Sequence, residues 1–271
     1  MDNGQTIRQL FGSDRALIGV AHLAALPGTP TATGGIDDIV AKAVAEAKQY
    51  AEAGYHGLII ENMGDRPYLA RSAGPEVVAA MTAAGRAIVE AVDLPLGVQI
   101  LAGANIEAIA VALAIGAAFV RVEGFVFAHV ADEGLLQSDA GELLRYRKAI
   151  GAENVRVFAD IKKKHSAHAV TADVDLPETA AAAEFFLADG VIVTGTVTGR
   201  PADGNDVKAV ADRVSIPTMV GSGVNPENVD DYRNADALIV GSFVKHNGLW
   251  SNDIDPERLQ AMSDAFARTQ S

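Results

Sequence analysis

Short, β-branched apolar runs alternate with longer Ala-rich stretches along almost the whole chain. Eight runs read as strands, at 16–20, 57–61, 95–100, 118–122, 155–161, 190–194, 218–220 and 237–240. Between them, apolar positions recur every three or four residues, the spacing of one buried helix face. The clearest stripe is Ile36, Ile39, Val40, Ala43, Val44, Ala47 and Ala51; others run through Val77, Val78, Met81, Ile88 and Val89, and through Ile106, Ile109, Ala110, Leu113 and Ala114. Gly54 and Gly116 stand where two of these helices should stop. Asp139 with Glu142, and Asp175 with Glu178, read as capping boxes, and Asn225-Pro226 as the start of a further helix.

Strands that alternate with helices at this spacing pair in parallel through right-handed crossovers, because a tight turn cannot join adjacent parallel strands. Eight such units close into a (β/α)8 TIM barrel. A doubly wound open sheet is the competing topology. No linker or shift in composition divides the chain, so residues 1–271 read as one domain, with 1–14 as an N-terminal extension and the barrel over 15–268. The segments 62–74, 124–138 and 195–205 are too long for ordinary strand-to-helix loops. In a barrel they share the face on which active sites are built.

Composition narrows the function. With 35 acidic against 22 basic residues in 271, the net charge is −13. That balance opposes a nucleic-acid backbone, and no basic patch offsets it, so no nucleic-acid partner is expected. The absence of cysteine excludes a thiol nucleophile, a thiolate metal site and a disulfide framework. The N-terminus lacks a secretory pattern, and the longest apolar run, 108–120, is too short to span a bilayer. It reads as a helix end, a stop at Gly116 and a strand. A cytoplasmic protein is expected, without an integral membrane span; peripheral membrane association stays open, and a homo-oligomer is expected.

The chemistry must then come from His, carboxylates, Lys, hydroxyls and backbone. Gly221-Ser222-Gly223 follows the seventh strand and Gly241-Ser242 the eighth. Glycine turns there let backbone N–H groups approach an anion, so the pair reads as a phosphate cradle. Lys245 is a candidate for adding charge to the same anion. Polar residues also stand at other strand ends: His22 after the first, Glu61 and Asn62 after the second, Arg121 and Glu123 around the fourth, Asp160 in the fifth, and Thr194 and Gly195 after the sixth. A charge at a barrel mouth persists only if it is paired, hydrogen-bonded or functional. An ion-pair layer, with Arg121 against Glu61 or Glu123, is the structural alternative to a catalytic set.

The stretch from Asp160 to His168 is the densest in polar groups. Strand alternation would put Asp160, Lys162 and Lys164 on one face, where a carboxylate and an ammonium can act as acid and base or steady an enolate. His165 and His168, with a carboxylate, are candidates for a divalent metal. His129, Asp132 and Glu133 lie in the long fourth loop, and Arg66 and Tyr68 in the second; such loops close over substrates. The repeat Thr194-Gly195 and Thr198-Gly199 is a candidate for binding phosphate or sugar hydroxyls. P-loop, nucleophile-elbow, zincin and dinucleotide-turn motifs do not occur in the sequence.

Several segments together resemble the BtpA/SgcQ family: Gly19-Val20-Ala21-His22-Leu23 with Leu26-Pro27-Gly28, Glu61-Asn62-Met63-Gly64-Asp65, Arg121-Val122-Glu123, Ala159-Asp160 with Lys164-His165, the two Thr-Gly pairs, and Val220-Gly221-Ser222-Gly223 with Glu227-Asn228. The resemblance covers residues 15–260. It implies a phosphate-binding TIM barrel of the ribulose-phosphate-binding type. It also implies either an enzyme of sugar or nucleoside phosphate metabolism or a non-catalytic biogenesis factor for a membrane complex of the photosystem I type. Asp160-Ile161-Lys162 also looks like the Asp-x-Lys of orotidine-phosphate decarboxylases, but no Asp follows three residues after Lys162, so that assignment does not transfer.

The expectation is an enzyme acting on a phosphorylated small molecule. Gly221, Ser222, Gly223, Gly241 and Ser242 would anchor phosphate, and Glu61 and Asp160 would be acid and base. Lys162 or Lys164 would steady negative charge, with His22 and His165 auxiliary; Asn62, Arg121, Glu123, Thr194 and Gly195 would contact substrate. A metal-dependent hydrolase is the remaining alternative.

Overall fold

The computed structural model describes residues 3–195 and 201–270. Among the described residues, eight parallel strands close into a barrel: β1 (Ala16–His22), β2 (Gly57–Glu61), β3 (Leu96–Gln99), β4 (Phe119–Val122), β7 (Arg156–Ile161), β9 (Gly190–Val193), β10 (Thr218–Val220) and β11 (Ala237–Val240). β1 closes the ring by pairing with β11, Ala16 opposite Ala237 through Gly19 opposite Val240. Every barrel strand falls within two residues of its predicted position.

Helices α2 (Ile36–Glu52), α3 (Pro75–Ala91), α4 (Asn105–Ile115), α5 (Ala140–Ala149), α6 (Leu176–Phe185), α7 (Gly204–Ala211) and α8 (Pro256–Arg268) bury their apolar stripes against the outside of the barrel. Gly116 ends α4 in the left-handed conformation at φ 74°. The Asp175 side chain caps α6 by accepting from the Glu178 amide at 2.7 Å. Two expected starts differ. Asp139 sits at the N-cap of α5 but makes no capping hydrogen bond, because its carboxylate is engaged by Arg71 and by Asn105, each at 2.8 Å. Asn225 accepts from the Glu227 and Asn228 amides as a cap would, yet only a short 3-10 turn, Val229–Tyr232, follows.

The barrel interior is a second apolar cluster, with Ile18, Ile59, Phe119, Phe158, Ile192, Met219 and Ile239 packed inside the ring. The N-terminal extension contributes to it: α1 (Asn3–Phe11) places Ile7 and Phe11 in this cluster, the Phe11 and Phe119 rings lying 5.7 Å apart. The segment read as an extension therefore closes the end of the barrel opposite the loops. Room for the aromatics comes from missing side chains: a Cβ on Gly57 would lie 2.7 Å from Phe11, and one on Gly190 2.7 Å from Phe158.

The long loop after β4 folds into a hairpin, β5 (Ala128–Ala131) with β6 (Gly134–Gln137), and β8 (Ser166–Ala167) adds to its β5 edge. Arg71, from the loop after β2, donates to the carbonyls of Glu123, Gly124 and Gln137 and so ties two long loops together. Among the described residues, no helix is long and apolar enough to cross a membrane.

Candidate active site

The glycine turns after β10 and β11 and the polar ends of β1, β2, β4 and β7 line one cavity of about 210 Å³. His22, Glu61, Arg121, Lys164, Gly221, Ser222, Gly223, Gly241 and Ser242 all contribute to its wall. The expected cradle and half of the expected chemical set are thus brought together.

The glycines are needed for space. A Cβ on Gly241 would lie 2.8 Å from the His22 ring, and one on Gly221 3.0 Å from both the Arg121 guanidinium and Thr194. Gly223 adopts φ 70°, where a side chain is strained. Ser222 is oriented from below, its Oγ accepting from the Gly195 amide at 3.0 Å, while Thr194 Oγ1 accepts from the Lys164 amide at 3.2 Å. Thr194 and Gly195 therefore support the cradle and the Lys164 backbone rather than lining the cavity. Thr198 and Gly199 lie outside the described residues.

The charges are arranged asymmetrically. Arg121 donates to both carboxylate oxygens of Asp160 at 3.0 Å, a buried bidentate pair. Arg121 is thus in an ion pair at the barrel mouth, but with Asp160 rather than the expected Glu61 or Glu123, and Glu123 pairs with Lys163 instead. Glu61 faces the same guanidinium without a direct bond; its side chain is 10% exposed and its Oε2 lies 4.0 Å from His22 Nε2. Burial pushes the Glu61 carboxyl up, and the charges of Arg121 and Lys164 pull it only part of the way back. Burial, then the Arg121 charge, pushes the Lys164 ammonium down. Burial, followed by the charges of Lys245, Lys164 and Arg121, lowers His22 to about 3, so its imidazole is neutral at pH 7. The acid and the amine are thereby drawn toward their neutral forms, the direction expected where acid–base chemistry is done, whereas the imidazole is held neutral as a hydrogen-bonding group.

The polar stretch after β7 does not keep its alternation. The strand ends at Ile161, and Lys162 takes φ 44°, which reverses the side-chain sequence. Lys162 points away and donates to the Thr171 carbonyl at 3.0 Å. Lys163 turns inward beneath the hairpin to meet Glu123 at 3.0 Å and Glu133 at 3.9 Å. Lys164 alone of the three reaches the cavity. His165 is exposed, and His168 Nε2 bonds with the Lys163 carbonyl. Among the described residues no three His, Asp or Glu side chains are grouped to hold a metal ion, and both Asp160 oxygens already accept from Arg121. These donors do not fit the metal reading of Asp160 with His165.

Asn62 supports a turn, its Oδ1 accepting from the Leu101 amide and its Nδ2 donating to Asp65. Lys245 is buried against Glu46 of α2 at 2.6 Å and does not line the cavity. A different cation does. Arg258, in the first turn of α8, lines the cavity while its Nε donates to the Phe243 carbonyl at 2.6 Å and its guanidinium stacks on the Phe243 ring. The Asp255-Pro256 pair, an N-cap followed by proline at the start of the last helix, is the sequence signal that points to Arg258.

The model of the BtpA family matches residues 13–268. The chain belongs to the BtpA family. It is 46% identical, over 93% of its own length and 94% of the relative's, to an uncharacterized mitochondrial protein of Caenorhabditis elegans. It is 33% identical to the photosystem I biogenesis protein BtpA of a Synechocystis strain, over 96% of this chain and 90% of that one. Among solved structures, the barrel is similar to a tryptophan synthase structure from Mycobacterium tuberculosis, with TM-score 0.62 and 19% identity over 98% of this chain and 96% of that one. It is also similar to thiamine phosphate pyrophosphorylase from Pyrococcus furiosus, with TM-score 0.58 and 13% identity over 98% and 100%. At these identities the BtpA-family chain shares with both structures the TIM-barrel fold.

Proposed function

We propose that this BtpA-family chain is an enzyme of phosphorylated sugar or nucleoside phosphate metabolism, acting by proton transfer or bond cleavage beside a carbonyl or anomeric carbon. The observation that carries this reading is the shared cavity: the two glycine turns and the Glu61, His22 and Lys164 side chains face one space. Phosphate sits on the turns, where backbone N–H groups and the Arg258 charge receive it. Glu61, whose carboxyl burial pushes up, serves as acid and base, with neutral His22 beside it. Lys164 and Arg121 stabilise negative charge that develops on the substrate. Asp160 positions Arg121 and carries no proton in this scheme. The structural neighbour thiamine phosphate pyrophosphorylase is named for a phosphorylated molecule, which fits this reading. A thermal-shift screen of sugar and nucleoside phosphates tests it: stabilisation that is lost in a Gly241→Val variant supports the site, and a library without any stabilising member opposes it.

One observation favours a second reading, a non-catalytic biogenesis factor. Phe185, Phe186 and Leu187 are exposed at 81%, 46% and 69% beside Arg145 and Lys148, an apolar patch of the kind that meets a partner or membrane surface. Co-sedimentation with membranes that is lost on Phe185→Ser and Leu187→Ser substitution, together with a blank ligand screen, would establish that role in place of the enzyme.

A further inference from the structure

His22 stands in the wall of two cavities. One is the site above; the other, of about 360 Å³, is bounded by the loop after β1, the start of α2 and Trp250. Alone, the 210 Å³ cavity falls below the roughly 300–1,000 Å³ typical of small-molecule sites, and joined to its neighbour it falls within that range. A Cβ on Gly241 would touch His22. A ligand anchored on that turn and extending past the imidazole therefore enters the second cavity.

Its lining specifies what it can take. Trp250, the single tryptophan of the chain, presents its ring edge-on to His22 at 6.1 Å between centroids. The Arg66 guanidinium lies 5.1 Å from the indole centroid. Thr31, Thr33 and Asp38 line the same space. Indole and guanidinium planes stack on flat rings, and hydroxyls with a carboxylate pair with the N–H and carbonyl edges of such rings. Lys42 is paired with Asp253 at 2.6 Å and the exposed Asp38 carboxylate balances the Arg66 charge, so the space carries no net positive charge to draw a second phosphate.

Resting on the reading of the glycine turns as a phosphate anchor, we propose that the second cavity is the subsite for the planar, uncharged ring of a phosphorylated N-glycoside, that is, of a nucleoside monophosphate. The phosphate lies on Gly221–Gly223 and Gly241, the sugar passes beside His22 and Glu61, and the base packs against Trp250 and Arg66. Neither Trp250 nor the Thr31, Thr33 and Asp38 set has a part in the cradle, so phosphate and base recognition are separable.

The single tryptophan makes the test direct. Trp250 emission and calorimetry are followed while the full chain is titrated with inorganic phosphate, ribose 5-phosphate and each nucleoside 5′-monophosphate. Stacking of the base strengthens binding, so at least one nucleotide should bind ~tenfold or more tighter than ribose 5-phosphate and shift the emission. By calorimetry, Trp250→Leu should bring that nucleotide down to the ribose 5-phosphate affinity, whereas Gly241→Val should weaken both. Trp250→Phe, which keeps an aromatic face, should retain most of the preference and guards against a folding defect. Equal binding of ribose 5-phosphate and all nucleotides, unchanged in Trp250→Leu, would overturn the subsite and leave the phosphate reading standing. Binding of no phosphorylated probe by the wild-type chain would overturn both.

Discussion

His22 Nε2 and Glu61 Oε2 lie 4.0 Å apart across the barrel mouth, at the ends of adjacent strands paired in register. The gap is too long for a hydrogen bond and leaves both groups available to a ligand atom between them. Replacing Glu61 by Gln preserves shape and removes the exchangeable proton. Turnover of an identified substrate should fall by about 10²–10⁴-fold, the usual contribution of a positioned acid or base, with phosphate affinity retained. Because burial raises the Glu61 carboxyl, its stabilising contribution is greatest at low pH and is lost as pH rises through the folded-state value. Glu61→Gln should therefore melt higher than wild type at pH 8 while being inactive, and a lower melting temperature there would contradict the burial argument.

The Arg121–Asp160 pair is positional. Asp160→Asn leaves a buried guanidinium without its counter-charge, which should destabilise the chain by about 3–5 kcal/mol in denaturant unfolding. If Asp160 instead moved protons in the reaction, Asp160→Asn would lose activity without losing stability.

His22 and His129 give the chain an acid-sensitive side. Burial lowers them to about 3 and about 4, so the unfolded chain takes up protons below pH 6.5 that the folded chain refuses. The stability lost to these two histidines should grow as pH drops from 6.5 toward 4, read as the difference between wild type and the His22→Gln, His129→Gln variant, and His22 alone should account for about 5 kcal/mol once both states are titrated. Because the raised Glu61 and Asp139 carboxyls act in the opposite direction, the test is the difference between the two proteins, and a difference that stays constant over this window would contradict it.

Lys163 holds the hairpin over the barrel. Lys163→Met leaves Glu123 and Glu133 buried without their cation. Hydrogen exchange should then show faster opening of Ala128–Ala131 and Gly134–Gln137, with the barrel strands unchanged.

Much of this was legible in the chain because barrel strands are buried on both faces and their helices on one, so the two periods stand out. The Gly-Ser turns were legible for the same reason, being fixed in position after strands seven and eight. The stretch after Ile161 was not. Alternation holds only while the backbone stays extended, and the left-handed Lys162 sends three consecutive lysines to three different places. The place of Lys245 is not legible because nothing local shows that Glu46, far away in the chain, lies beside it in the fold. Arg258 and Trp250 are hidden for a related reason: both follow the last strand, and only the closed fold shows which cavity each one faces.

The account rests on phosphate occupying the glycine turns of the cavity that holds Glu61. The most direct measurement is an electron-density map of crystals soaked in ribose 5-phosphate. It should show the phosphate group within hydrogen-bond distance of the backbone amides at Gly221–Gly223 and Gly241–Ser242, with sugar density toward Glu61 and His22. Phosphate density at any other place on the chain, with these turns empty, would contradict it.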